Sequence, residues 1–120
     1  MRKYVISLLI IASLVACSHN GEVNDKIDLS GNSIIIDVRT KAEYDQGHLK
    51  NSLNIPYDTI KEKIEGITTD KGDTIIVYCR SGRRSGIARK VLEEIGYKNV
   101  INAGAYKELK KLEEKQQMQK

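Results

Sequence analysis

Thr74-Ile75-Ile76-Val77-Tyr78-Cys79-Arg80-Ser81-Gly82-Arg83-Arg84-Ser85-Gly86 is the stretch that decides the fold. Thr74 to Tyr78 is a continuous β-favouring run behind the turn signal Asp70-Lys71-Gly72-Asp73. Such a run, without polar alternation, marks a strand buried on both faces of a parallel sheet. A short polar loop over residues 79–84 comes next. From Ser85 to Ile95, Ile87, Ala88, Val91, Leu92 and Ile95 fall on one helical face, and Gly96 supplies the stop.

The same alternation extends in both directions. Ser33-Ile34-Ile35-Ile36-Asp37-Val38 predicts a second buried strand after the turn Ser30-Gly31-Asn32. Thr40-Lys41-Ala42-Glu43 is a capping box, so a short helix should run to about Gln46 and stop at Gly47. Ser52 to Ile55 predicts a short strand ended by Pro56, and residues 57–65 a helix with Ile60 and Ile64 four apart. Asn99-Val100-Ile101 is a last short strand, and 105–115 a surface helix seated by Ala105, Leu109 and Leu112. Strands alternating with helices predict a single-domain α/β fold with a central, mostly parallel sheet and helices on both faces. The chain has no Trp and no Phe, so its core must come from Ile, Leu, Val and Tyr.

In a parallel sheet, ligands bind at the carboxyl ends of the strands, and that is where Cys79 falls. A loop entering a helix N-terminus presents unpaired N–H groups and the positive end of the macrodipole. A cysteine in that field should have a lowered pKa and act as a thiolate. Gly82 lets the backbone curl so that several N–H groups converge. Arg80, Arg83 and Arg84 place three positive charges within five positions, which implies an anionic substrate.

From about Leu29 to Leu112 the chain resembles the rhodanese family. Ile36-Asp37-Val38-Arg39 with Glu43-Tyr44 is similar to the family's first motif, and Gly47-His48-Leu49 with Asn54-Ile55-Pro56 to its second. Residues 74–85 resemble the active-site strand and loop. Gly96-Tyr97-Lys98-Asn99-Val100 with Ala103-Gly104 resembles the closing motif. The resemblance implies a rhodanese-like fold and a sulfurtransferase that carries sulfur as a covalent persulfide on Cys79, without a further cofactor. The partners it implies are a small anionic sulfane donor such as thiosulfate and a thiophilic acceptor: cyanide, a small thiol or a thiol protein. Arg80, with Arg83 or Arg84 or both, would hold the donor. Ser81 and Ser85 would add hydroxyl donors, and Gly82 the loop amides. The sequence departs from the family at Asn51-Ser52, where a small Gly-Ala pair is usual, and at Tyr106, where a Trp is frequent.

Asp37 and Arg39 read as structural support, a pair bracing neighbouring loops at a strand end. His48 stays outside the catalytic set, because a thiolate nucleophile needs no strong base. One of the two histidines, His19, lies in the tether expected before the domain, and there is no paired-cysteine motif, so neither a metal site nor dithiol chemistry is expected. Cysteine phosphatases and arsenate reductases resemble this loop but carry an arginine six positions after the cysteine, where this chain has Ser85. Their loop is also one residue longer than the six residues counted if Ser85 opens the helix. A non-turnover sulfur carrier or redox-sensing module is the rival from another class.

The first residues read as an address. Met1-Arg2-Lys3 is a basic start, and Tyr4–Val15 is an apolar run interrupted only by Ser7 and Ser13. The run is shorter than the ~20 residues of a membrane-spanning helix and fits a signal peptide. Leu14-Val15-Ala16-Cys17 resembles the lipobox of bacterial lipoproteins, which implies removal of 1–16 and lipidation of Cys17. Residues 17–28 would be a lipidated tether, 29–115 the domain and 116–120 a polar tail. The expected location is the cell envelope, on a bacterial membrane reached through the lipid anchor alone. The formal charge of +4 includes Arg2 and Lys3; the rest is nearly balanced, which gives no case for nucleic-acid binding. With Cys17 lipidated, Cys79 has no disulfide partner in an oxidising compartment.

Overall fold

The computed structural model describes residues 27–119. Four strands, β1 (Ile34–Asp37), β2 (Ser52–Asn54), β3 (Thr74–Cys79) and β4 (Asn99–Ala105), form one parallel sheet in the order β2-β1-β3-β4. Between and after them run α1 (Lys41–Gln46), α2 (Ile60–Lys63), a 3-10 turn (Ile64–Gly66), α3 (Arg83–Glu94) and α4 (Tyr106–Met118). The α/β architecture with a parallel sheet is the one expected.

Side chains on successive strand residues point to opposite faces, and β3 divides its residues between two cores accordingly. Ile75, Val77 and Cys79 pack with Ile36, Val38, Ile60, Ile64, Ala88 and Leu92 on the face covered by α2 and α3. Ile76 and Tyr78 pack with Ile27, Leu29, Ile35, Leu49 and Leu109 on the face covered by α4 and the N-terminal segment. Helices thus cover both faces, and β3 is buried throughout apart from Thr74. The Cys79 end of β3 belongs to the α2–α3 side.

Local signals set several elements. Thr40 caps α1 by accepting the Glu43 N–H at 3.2 Å, while Glu43 accepts the Thr40 N–H at 3.3 Å. Gly47 ends the helix at φ 154°, and a Cβ there would meet the Tyr106 hydroxyl at 2.9 Å. Ser52 and Asn51, the departures from the family pattern, are both engaged. Ser52 Oγ donates to Leu49 O at 2.7 Å, so Tyr78 Oη donates to Ser52 Oγ at 2.9 Å while accepting the Leu49 N–H at 3.1 Å. Asn51 donates to Leu29 O at 3.2 Å.

Five boundaries differ from expectation. The helix expected over 57–65 begins only at Ile60, because the Tyr57 N–H is drawn to Val38 O and the Thr59 N–H closes a turn onto Pro56 O. The helix expected from Ser85 begins at Arg83, with Gly82 as N-cap and the Gly86 N–H on Gly82 O at 3.0 Å. The loop is therefore Arg80–Gly82, and the six-residue loop count against a phosphatase does not hold. β4 runs four residues beyond Ile101 to Ala105, because its pairing with β3 continues past a bulge at Ala103. The polar tail expected from residue 116 is instead the last turn of α4, held by Gln116, which accepts the Leu29 N–H at 3.1 Å and donates to Ile27 O at 2.8 Å. Those bonds and the burial of Ile27 also place the end of the expected tether inside the domain. The expected signal peptide, Cys17 and residues 18–26 lie outside the described residues.

Candidate active site

Cys79 ends β3, and the chain turns directly into α3. Gly82 makes the turn at φ 96°, in the left-handed region that favours glycine. A glycine cap has no side chain to accept the first-turn N–H groups of α3. The sulfur takes part of that role: it accepts from the Ser85 N–H in the first turn, the Gly82 N–H donates to Sγ at 3.0 Å, and the Ser85 Oγ lies 3.4 Å away. Burial pushes the Cys79 thiol up. Bonds from the Ser85 hydroxyl and from the Ser85, Ser81 and Gly82 N–H groups outweigh it and hold the thiol below its ordinary value. The positive end of α3 acts in the same direction. The arrangement can stabilise a thiolate in a residue that is itself 0% exposed.

The three arginines separate. Arg80 and Arg83 are exposed at the loop and at the first residue of α3. Arg84 turns to α1 and grips Glu43 with two bonds, 2.7 and 3.0 Å. That bond to Arg84 is the main reason the Glu43 carboxyl sits at about 2. Ser81 is exposed, and Ser85 is buried in the first turn of α3. Ser85 thus stands beside the sulfur at the position where a phosphatase of similar pattern carries arginine.

Asp37 and Arg39 form a buried pair at the end of β1. Arg39 Nε donates to both Asp37 oxygens at 2.9 and 3.1 Å, and its Nη2 donates to Oδ2 at 2.6 Å. Nη2 also donates to Gly47 O at 2.7 Å, and the guanidinium lies 4.4 Å over the Tyr106 ring. Tyr106 thus packs on the loop after α1 at the position where the family often has Trp. His48 stacks on Tyr44 at 3.6 Å, with Nδ1 2.8 Å from Tyr44 O, and makes no contact with the sulfur.

Asn102 belongs to none of the sequence motifs, yet it joins the site. Its Oδ1 accepts from Ser85 Oγ at 2.6 Å and from the Gly104 N–H at 3.1 Å, and its Nδ2 donates to Gly82 O at 3.1 Å. The available signal was an Asn inside an apolar strand, where that residue is depleted.

A cleft of about 430 Å³ opens at the same carboxyl edge, lined by Arg39, Glu43, Gln46, Gly47, Arg80, Tyr106 and Lys107. Cys79 is not part of its wall; Arg80 connects the two. A second cavity, about 390 Å³, lies between the N-terminal segment and the end of α4, away from the sulfur.

The Rhodanese-like domain model matches residues 20–112. The chain is 46% identical over 74 residues to thiosulfate sulfurtransferase PspE of Escherichia coli (strain K12), covering 62% of this chain and 71% of that one. A solved rhodanese with anions from E. coli superposes with a TM-score of 0.61 at 45% identity, covering 62% and 88% of the two chains. A tRNA uridine(34) hydroxylase of Yersinia enterocolitica is 32% identical over 85 residues, 68% of this chain but only 24% of that protein.

Proposed function

The chain belongs to the rhodanese-like domain family, and on that premise we propose that this sulfurtransferase moves sulfane sulfur from thiosulfate, or a similar anion, through a persulfide on Cys79. The observation that carries the reading is Cys79 Sγ at the mouth of α3, held by the Gly82 N–H at 3.0 Å. Similarity to a thiosulfate sulfurtransferase and to a rhodanese solved with anions supports it.

The thiolate pair attacks the outer sulfur of thiosulfate. A Cys79 S–S bond forms, the donor S–S bond breaks, and its electron pair leaves with sulfite. The acceptor anion then attacks the outer sulfur of the persulfide and restores the thiolate. Cyanide gives thiocyanate, and a thiolate gives a new persulfide. The N–H groups around Sγ are fixed before either step, so no reorganisation is needed when charge returns to the sulfur. Arg80 and Arg83, exposed in the loop after Cys79 and at the first residue of α3, draw in the donor. Lys107 and Arg80 make the adjoining cleft cationic. Arg84 serves chiefly through Glu43.

The test is thiocyanate formation from thiosulfate and cyanide by the purified protein. Cys79→Ala should abolish it; turnover surviving in that variant would sink the assignment. The complete burial of Cys79 favours one second reading, a carrier loaded by a docking partner. A stable adduct with the mass of one added sulfur, without turnover, would select it.

Export and lipid anchoring at Cys17 are proposed on the basic start, the apolar run and Leu14-Val15-Ala16-Cys17. The location is then the cell envelope. Labelled palmitate incorporated by the wild type and lost in Cys17→Ala is the expected result; equal labelling of both would refute it.

A further inference from the structure

Ser85 has one hydroxyl proton and two acceptors in reach: Asn102 Oδ1 at 2.6 Å and Cys79 Sγ at 3.4 Å. The amide of Asn102 has only one orientation that suits its neighbours. The Gly104 N–H can only donate and Gly82 O can only accept, so Oδ1 faces Gly104 and Ser85 while Nδ2 faces Gly82. An amide oxygen cannot donate, so the 2.6 Å bond to Asn102 requires the Ser85 proton, and that same proton is the one that bonds Sγ when the thiolate is present.

We propose that Asn102 is a positioning residue for sulfur transfer: it parks the Ser85 hydroxyl proton while Sγ is uncharged and yields it to Sγ when the thiolate forms. The proposal rests on the reading of Cys79 as nucleophile. The charge on Sγ alternates through the cycle. It is negative in the thiolate, neutral once Sγ is the inner sulfur of a persulfide, and negative again as the acceptor departs. The Ser85 hydroxyl rotates between its two acceptors in step, and no covalent bond changes in doing so. Meanwhile Nδ2 on Gly82 O and Oδ1 on the Gly104 N–H hold the loop and β4 at fixed spacing, so the rotation needs no backbone movement.

The charged groups around the sulfur are Arg80 in the loop, Arg83 and Arg84 on α3, Glu43 on α1, and the Asp37–Arg39 pair ending β1. All are common to the wild type and its Ser85 and Asn102 variants; only Asn102→Asp adds a charge of its own, which the Ser85→Ala background controls for.

The experiment tracks Cys79 ionisation by thiolate ultraviolet absorbance against pH in the full chain, with Cys79→Ala as the blank. This readout does not depend on sulfur transfer, so the proposal and the proposed function fail separately. Asn102→Asp, a stronger acceptor, should move the titration up by about one pH unit or more. Asn102→Ala frees the proton for sulfur and should move it down. Loosening of the site would instead move both variants the same way, and that result overturns the proposal. In a Ser85→Ala background the Asn102→Asp shift should shrink. An equal shift in both backgrounds would make it a direct charge effect and also overturn the proposal. If Asn102→Asp does not fold, the sign of the Asn102→Ala shift decides alone.

Discussion

Arg84 and Glu43, 41 residues apart in the chain, close a two-bond ion pair at 2.7 and 3.0 Å that ties α3 to α1 near Cys79. Glu43→Gln keeps a residue able to complete the Thr40 capping box but removes the charge. It should cost about 1 kcal/mol at pH 7, because the pair is only partly covered. The bond to Arg84 lowers the Glu43 carboxyl from 4.5 to about 2. Its contribution is therefore complete above pH 4.5 and is lost as the pH falls through about 2. Urea midpoints of the two proteins should differ at neutral pH and converge across that window. A difference that stays constant down to the acid end of the window would contradict the assignment.

The Asp37–Arg39 pair is more costly to break. Asp37→Ala leaves a guanidinium buried with only Gly47 O and two aromatic rings. A loss of about 3–5 kcal/mol is expected, a large part of the total for a domain of this size. Arg39→Lys should recover little, since an ammonium cannot span both carboxylate oxygens and Gly47 O as the fork does. Equilibrium urea denaturation measures both.

The arginines should divide by measured constant. Arg80→Ala should raise the KM for thiosulfate about tenfold, equivalent to ~1.4 kcal/mol, with little change in stability. Arg84→Ala should lower the melting temperature and alter KM less. Equal effects of the two substitutions on KM would mean that Arg84 leaves Glu43 to bind donor.

Gly82→Ala tests the turn itself. The residue sits at φ 96°, and its added Cβ would come 3.5 Å from Gly104 Cα, an ordinary contact. Space is therefore available, and the cost is conformational, about 1–2 kcal/mol. Activity should fall further than stability, because the same backbone aims the N–H at Sγ. A variant destabilised as expected but fully active would show that this N–H is not needed.

What the sequence made legible was local. The buried runs ending at Asp37 and Cys79, the Thr40 box and the stop at Gly47 depend on neighbours within a few positions, and they fixed the order of elements and the place of Cys79 at a strand end. The start of α3 reads too late in the sequence because the apolar face that marks it begins only at Ile87, whereas the actual cap is a glycine whose N–H is accepted by a sulfur three residues earlier. Asn102 was out of reach for a different reason. Its partners Ser85 and Gly82 are 17 and 20 residues away, and its place opposite Val77 depends on strand pairing at the bulge. Gln116 reads as solvated tail until Ile27, 89 residues earlier, is folded against it.

Complete burial of Cys79 has a consequence for how cargo is handed over. A bulky disulfide cannot reach the sulfur of the empty protein, so the resting state is guarded against mixed disulfides. Once loaded, the outer sulfur extends about 2 Å beyond Sγ. In the proposed cycle the cargo is then its own handle: an acceptor meets the sulfur to be taken before it meets the cysteine that carries it, and an unladen protein offers a bulky acceptor nothing to grasp.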